Sequence, residues 1–228
     1  MKTKLPAGFT LIEMLVVIAI IATIAAFAVP ALTSAMAKGQ MTGTMNNARQ
    51  LYLAGYQMAL DGGTNSDGNR AWPGDYAGGI CDTLQQYCQW LVQNDYLKGG
   101  DAQKVLSAPG AACTVAVDNS VNPPTVALSG RSGLKIYKVK DSDPSTTIFA
   151  VSANYVYNTA LTGTNTPYGD KGFIVIHKGG DAAVFRRNNA TASNYSSGAA
   201  FQAAIGTLTG DADGTPSGDD NGKNLTNP

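Results

Sequence analysis

The chain has 228 residues, 44% of them hydrophobic and only 14% charged, with 16 Lys and Arg against 16 Asp and Glu. That balance leaves no basic field to hold nucleic acid. The length allows an N-terminal anchor and still leaves enough chain for one globular domain with a packed core.

From the N-terminus, the leader Met1–Gly8 carries Lys2 and Lys4, and Met14–Ala37 then contains no charged residue. Phe9–Leu32 would be ~36 Å long as a helix, enough to cross a hydrocarbon core of ~30 Å. The two lysines ahead of it predict a cytoplasmic N-terminus. Glu13 is a lone carboxylate a few residues inside this run. A charge there costs about 2.5–3.5 kcal/mol on insertion scales, so its retention points to a function. A discarded secretory signal would also fit Ala26-Phe27-Ala28 or Ala35-Met36-Ala37 as small-x-small cleavage sites. Against it, Glu13 would interrupt the apolar region, and the run exceeds the usual ~7–15 residues. A plain anchor that is never cut is the other simple reading.

Gly8-Phe9-Thr10-Leu11-Ile12-Glu13, set between a basic leader and a long apolar run, resembles the processing site of type IV pilins and of the related pseudopilins of type II secretion. The resemblance covers Lys4 to about Leu32 and weakens beyond. It implies cleavage after Gly8 by a prepilin peptidase on the cytoplasmic side and N-methylation of the new first residue, Phe9, by the same enzyme. The helix would be retained, first in the inner membrane and then in a filament core. Pro30 matches a proline that the family carries well down this helix. Cleavage would create an ammonium on Phe9, and Glu13 could pair with that of a neighbouring subunit. Docking would relieve the penalty of an unpaired carboxylate in lipid and set register.

Past the apolar run, Lys38–Leu60 continues as an amphipathic helix. Met41, Met45, Ala48, Leu51, Tyr52, Met58 and Ala59 recur mostly at spacings of three and four. Gly39, Gly43 and Gly55 weaken the propensity and permit bends. Asp61-Gly62-Gly63 is expected to end the helix. Thr64–Gly79 reads as a loop. Asp82, with Gln85 three residues on, would cap a second helix whose inner face is Leu84, Tyr87, Cys88, Leu91 and Val92, closed by Gly99-Gly100. A short helical turn over Asp101–Leu106 follows.

From Cys113 the texture changes to short β-branched runs at 113–117, 125–128, 134–139, 146–157, 172–177 and 182–187. Leu134–Val139 alternates in the manner of a half-buried strand. Lys178-Gly179-Gly180-Asp181 joins two runs as a hairpin. Local strands and glycine turns favour an antiparallel sheet. The fold class is therefore α+β. The resemblance adds the pilin-like arrangement, a small antiparallel sheet laid on the outer half of the long helix. The division expected is a leader at 1–8, a transmembrane and filament-core helix at 9–37, and an extracytoplasmic head at 38–228.

With the N-terminus inside, Cys81, Cys88 and Cys113 lie where disulfides persist. Cys81 and Cys88 would be ~10 Å apart if both were helical, so they can pair only if Cys81 precedes the helix. Cys88–Cys113 is the competing pair, and an odd count leaves one thiol over. The single histidine, His177, sits at a strand end, and no nucleophile motif supports a catalytic role for it. Tyr52, Tyr56, Trp72, Tyr87 and Trp90 gather near one another in sequence, and core packing is the simpler account of them than a ligand platform.

Gly210–Pro228 is poor in apolar residues and reads as a disordered tail or a loop ordered by a ligand. Asp211, Asp213, Asp219 and Asp220, with Asn221, offer the hard oxygen ligands that Ca2+ takes. The EF-hand pattern fails, since Thr215 and Pro216 stand where an Asp or Asn and a Gly belong. The resemblance raises the case for Ca2+, since major pseudopilins hold calcium in a C-terminal loop, while a solvated acidic tail explains the same residues. Asn65, Asp67 and Asn69 form a weaker set that an ordinary Asx-rich turn also explains.

The expected protein is a structural subunit and not an enzyme, assembling with copies of itself and with other pilin-like subunits. Its further partners would be the peptidase and an inner-membrane assembly platform. The acidic C-terminal loop leans towards a type II secretion pseudopilin. The alternatives are a subunit of an extended type IV pilus serving adhesion, motility or DNA uptake, and a membrane-tethered binding domain that never polymerises.

Overall fold

The computed structural model describes residues 8–76, 81–220 and 222–228. The leader lysines Lys2 and Lys4, the end of the 64–79 loop and Asn221 lie outside the described residues. The chain divides into two units, 1–39 and 40–228. One helix, α1 (Leu11–Asn65), runs through Pro30 without a break. Pro30 has no N–H to donate, and the Thr33 hydroxyl donates to the Pro30 carbonyl at 2.9 Å. The large apolar side chains of the first unit, among them Ile12, Ile18, Ile24, Phe27 and Leu32, are exposed.

In the second unit α1 buries Met41, Thr44, Ala48, Leu51, Tyr52, Ala54, Gly55, Met58 and Gly62. The helix does not stop at Asp61-Gly62-Gly63. It continues to Asn65, where the Asn65 amide donates back to the Asp61 carbonyl at 2.9 Å, and the chain turns at Ser66 with φ 55°. Gly62 is a packing glycine, because a Cβ there would lie 1.6 Å from the Arg70 carbonyl oxygen. Gly55 is another, since a Cβ would lie 2.0 Å from the Tyr87 hydroxyl. Neither glycine bends the helix for its own sake; each lets a neighbour approach the backbone.

Helix α2 (Leu84–Gln93) is capped one residue later than the sequence suggests. Thr83 is the N-cap, its hydroxyl accepting from the Gln86 N–H while Gln86 accepts from the Thr83 N–H, both at 3.1 Å. The inner face Leu84, Tyr87, Cys88, Leu91 and Val92 is buried as expected. Asn94 ends α2, and Gly99-Gly100 opens α3 (Gly99–Leu106) instead of closing α2.

Strands β1 (Cys113–Asp118) and β2 (Thr125–Gly130) form a two-stranded antiparallel sheet. Strands β3 (Leu134–Ile136), β4 (Ile148–Ser152), β5 (Phe173–His177) and β6 (Ala182–Phe185) form a second antiparallel sheet in chain order. Every residue of β4 and β5 is buried, so this sheet is covered on both faces and its central strands read as continuous apolar runs. On one side the Phe149 ring meets Tyr52 at 5.7 Å and Trp72 at 5.8 Å between centroids. The other side is closed by Tyr155, Tyr157 and an unforeseen helix, α4 (Gly198–Ile205), whose Phe201 lies 5.3 Å from the Tyr157 ring. The aromatic set is thus mainly core, although Tyr56 remains 45% exposed.

The C-terminal segment is not a loose tail. The Leu225 N–H donates to Ile136 at 2.7 Å and the Lys138 N–H to Lys223 at 2.8 Å, covering the outer edge of β3. Leu225 is fully buried, and Thr226 exchanges backbone bonds with Asp82 and Leu84. The Gln202 side chain of α4 holds the Ala212 carbonyl at 3.0 Å and the Gly214 N–H at 2.6 Å.

Candidate assembly site

Gly8 and Phe9 precede α1, and Phe9 is 79% exposed. Thr10 then opens the helix. Its backbone N–H and its hydroxyl both donate to Glu13 Oε2 at 2.7 Å, and the Glu13 N–H donates to the Thr10 hydroxyl at 3.3 Å. This is a reciprocal capping box, satisfying two donors that a helix start leaves open. The Thr-x-x-Glu spacing of Thr10 and Glu13 is the signal of this box in the sequence. The site therefore combines an exposed residue ahead of the helix, a carboxylate one turn in, and a continuous apolar surface beyond.

The C-terminal acids do not converge. Asp211 pairs with Lys223 and also accepts from the Ser217 hydroxyl and N–H. Burial pushes the Asp211 carboxyl up, but those bonds outweigh it and hold the group below the usual carboxylate range. Asp220 accepts from Lys135 Nζ at 2.5 Å, the Tyr137 hydroxyl at 2.6 Å and the Tyr157 N–H at 3.1 Å. Asp213 and Asp219 are exposed. Among the described residues no group of three or more His, Cys, Asp or Glu side chains could hold a metal ion. The four acids of the expected calcium set are thus not brought together in this structure, and two lysine ammoniums supply the positive charge that Asp211 and Asp220 face. Asp67 makes an Asx turn with the Asn69 N–H at 3.0 Å and a salt bridge with Arg70 at 3.4 Å, as an ordinary turn requires.

Cys81, Cys88 and Cys113 are buried free thiols, so the expected Cys81–Cys88 bridge is not formed in this structure. Burial pushes the Cys81 thiol up to about 12, with Lys138 opposing in part. His177 is nearly buried, with Nδ1 2.5 Å from Asp181 and Nε2 2.8 Å from the Ile205 carbonyl. Both ring nitrogens are committed to fastening β5 to its turn and to the end of α4, which leaves neither for a reacting group.

A model of the prokaryotic N-terminal methylation motif matches residues 4–29. Fimbrial protein EcpC of Eikenella corrodens is 33% identical over 132 residues, which span 57% of this chain and 78% of that protein. No solved structure matches. An apolar helix opened by Thr10 and Glu13, an α+β head built on the same helix, the methylation motif and the fimbrial relative agree: the chain belongs to the type IV pilin-like family.

Proposed function

We propose that this chain is a structural subunit of an extended pilus, cut after Gly8, N-methylated at Phe9 and polymerised through α1, with no catalytic role of its own. The observation that carries this reading is the start of α1. A lone carboxylate, one turn into the helix and with no other charged residue between it and Lys38, is followed by an exposed apolar surface that must be covered by lipid or by other helices. Glu13 would meet the Phe9 ammonium of a neighbour there. Peptidase and assembly platform would act on the chain before and during polymerisation, at the inner membrane. The pairing of Asp220 with Lys135 and of Asp211 with Lys223, in place of an acidic loop open to a cation, supports the extended pilus over a type II secretion pseudopilin. That the Eikenella corrodens relative is a fimbrial protein favours the extended filament.

The test is mass spectrometry of the chain from producing cells, comparing sheared surface material with the membrane pellet. A chain beginning at methylated Phe9 and enriched in the sheared fraction is expected. The same processed chain confined to the pellet would replace the pilus with a short secretion pseudopilus. A chain still carrying Met1–Gly8 in both fractions would end the filament reading.

A further inference from the structure

We infer that the groove at the C-terminal end of α1 receives Arg186 and Arg187 of a second copy of this chain, joining heads in a head-to-tail series. The inference rests on the filament reading and names a contact within it. The groove, about 870 Å3, is lined by Tyr56, Leu60 and Trp72 and by the acids Asp67, Asp75 and Asp141. Asp75 and Asp141 are exposed, and Asp75 accepts from the Asp141 backbone N–H, which keeps the two acids side by side. Leu53, Tyr56 and Leu60, 54%, 45% and 56% exposed, form a stripe at helical spacing that runs into it, with the Tyr56 ring resting on Tyr52 and Trp72. Two of the nearby cations are already engaged, and the exposed Lys140 lies beside Gly74. Arg70 binds Asp67 at 3.4 Å and the Asn94 side chain at 3.2 Å, and Lys178 donates to the Asp141 and Asp143 carbonyls. An open groove lined by both acids and a tyrosine suits a guanidinium, which pairs with carboxylates and stacks on aromatic faces.

The same unit carries that group at its other end. β6 is the uncovered edge of the four-stranded sheet among the described residues, and the exposed Arg186 and Arg187 follow it. Arg187 and Lys171 share one acid, Asp170, at 3.0 and 3.8 Å, so this corner is net positive. It lies at the level of Met41, because Gly172 sits between the Phe185 carbonyl and the Met41 sulfur. Met41 and Leu60 are about 28 Å apart along α1 at 1.5 Å per residue. The acidic groove and the basic corner are thus complementary surfaces on opposite ends of one unit. A heterologous contact of that kind does not close on itself and propagates as an open series.

The test is oxidative cross-linking of the full-length chain in producing cells, using Asp75→Cys together with Arg186→Cys and copper phenanthroline. The native thiols are buried and give a silent background, read from the unsubstituted chain. A ladder of dimers, trimers and higher species is expected from the pair and none from either single substitution. A dimer band alone would mean a closed antiparallel pair and would overturn the inference. Filaments in the sheared fraction with no ladder would overturn it while leaving the filament reading intact. No polymer of the unsubstituted, Phe9-initiated chain in any fraction would remove both. As a second measurement, Arg186→Asp with Arg187→Asp should lower sheared filament by about tenfold or more, and Asp75→Arg with Asp141→Arg in the same chain should restore it. Failure to restore would also count against the contact.

Discussion

Glu13 closes a capping box with Thr10, its carboxylate accepting from both the backbone N–H and the hydroxyl of that residue at 2.7 Å. One side chain therefore serves the helix it belongs to and, in the proposed filament, the ammonium of a neighbour. The two roles separate by chemistry, since capping needs an acceptor and pairing needs a charge.

Glu13→Gln keeps an acceptor and loses the charge, whereas Thr10→Val loses the cap and keeps the carboxylate. Loss of the cap costs about 0.5–2 kcal/mol of local helix stability and should leave assembly near normal. Glu13→Gln and Glu13→Ala should both reduce the ratio of sheared to membrane-bound chain by about tenfold or more. A Glu13→Gln chain that assembles like the unsubstituted one would show that Glu13 acts as a cap alone.

Gly55 and Tyr87 form a second coupled pair, in which the Tyr87 hydroxyl lies where a Gly55 Cβ would need to be and has no hydrogen-bond partner. Gly55→Ala should lower the melting temperature of the full chain in detergent by an amount equivalent to about 1–3 kcal/mol of overpacking. Tyr87→Phe removes a buried unsatisfied hydroxyl and should be neutral or stabilising. The double variant should recover most of the loss. If the two effects simply add, the alanine acts through something other than contact with Tyr87.

What the sequence made legible was what depends on local period and local turn chemistry. The apolar run, the buried face of α2 from Leu84 to Val92, and the Lys178–Asp181 hairpin are patterns of near neighbours. The α4 helix leaves little trace in the sequence because Gly198–Ile205 is short and its one cue is Ser197, whose hydroxyl accepts from the Ala200 N–H. The partners of the C-terminal acids are hidden in the sequence for a different reason. The lysine that Asp220 meets is Lys135, 85 positions earlier, on a strand whose alternation placed that lysine in solvent. Lys135 is 7% exposed because the tail folds over β3 and brings the carboxylate to it. A polar segment with one anchoring apolar residue, Leu225, gives no periodic sign of such a return.

That return makes Lys135 and Asp220 a sharp test of the C-terminal fold. The pair is largely buried, with side-chain exposures of 9% and 15%, and Tyr137 donates to the same carboxylate. Asp220→Asn should leave a buried ammonium and cost about 3–5 kcal/mol, while Lys135→Met together with Asp220→Leu should cost much less. With lysines facing Asp211 and Asp220, a chelator should not move the melting temperature, and added Ca2+ should not raise it. A Ca2+-dependent rise would mean that Asp213, Asp219 and the loop rearrange around the ion and displace Lys223 or Lys135.

The alkaline limit follows from buried protons. Burial raises the Cys81 thiol from an ordinary 9.0 to about 12, and raises Cys88 and Cys113 as well. Tyr87, Tyr137, Tyr155 and Tyr157 are raised for the same reason, with Asp220 adding to the effect on Tyr137. The folded chain holds these protons to higher pH than the unfolded chain does, so its stability is intact below about 9 and declines as pH rises from there. The full chain in detergent should melt at steadily lower temperature between about pH 9 and 12, and tyrosinate absorbance should rise together with unfolding, not before it. Cys88→Ala should leave the tyrosine-dependent part of that decline in place while opening a cavity at neutral pH. Tyrosinate appearing in the cold, folded chain well ahead of any loss of structure would show that these rings are not held from water as their packing against Phe149, Phe173 and Phe201 requires.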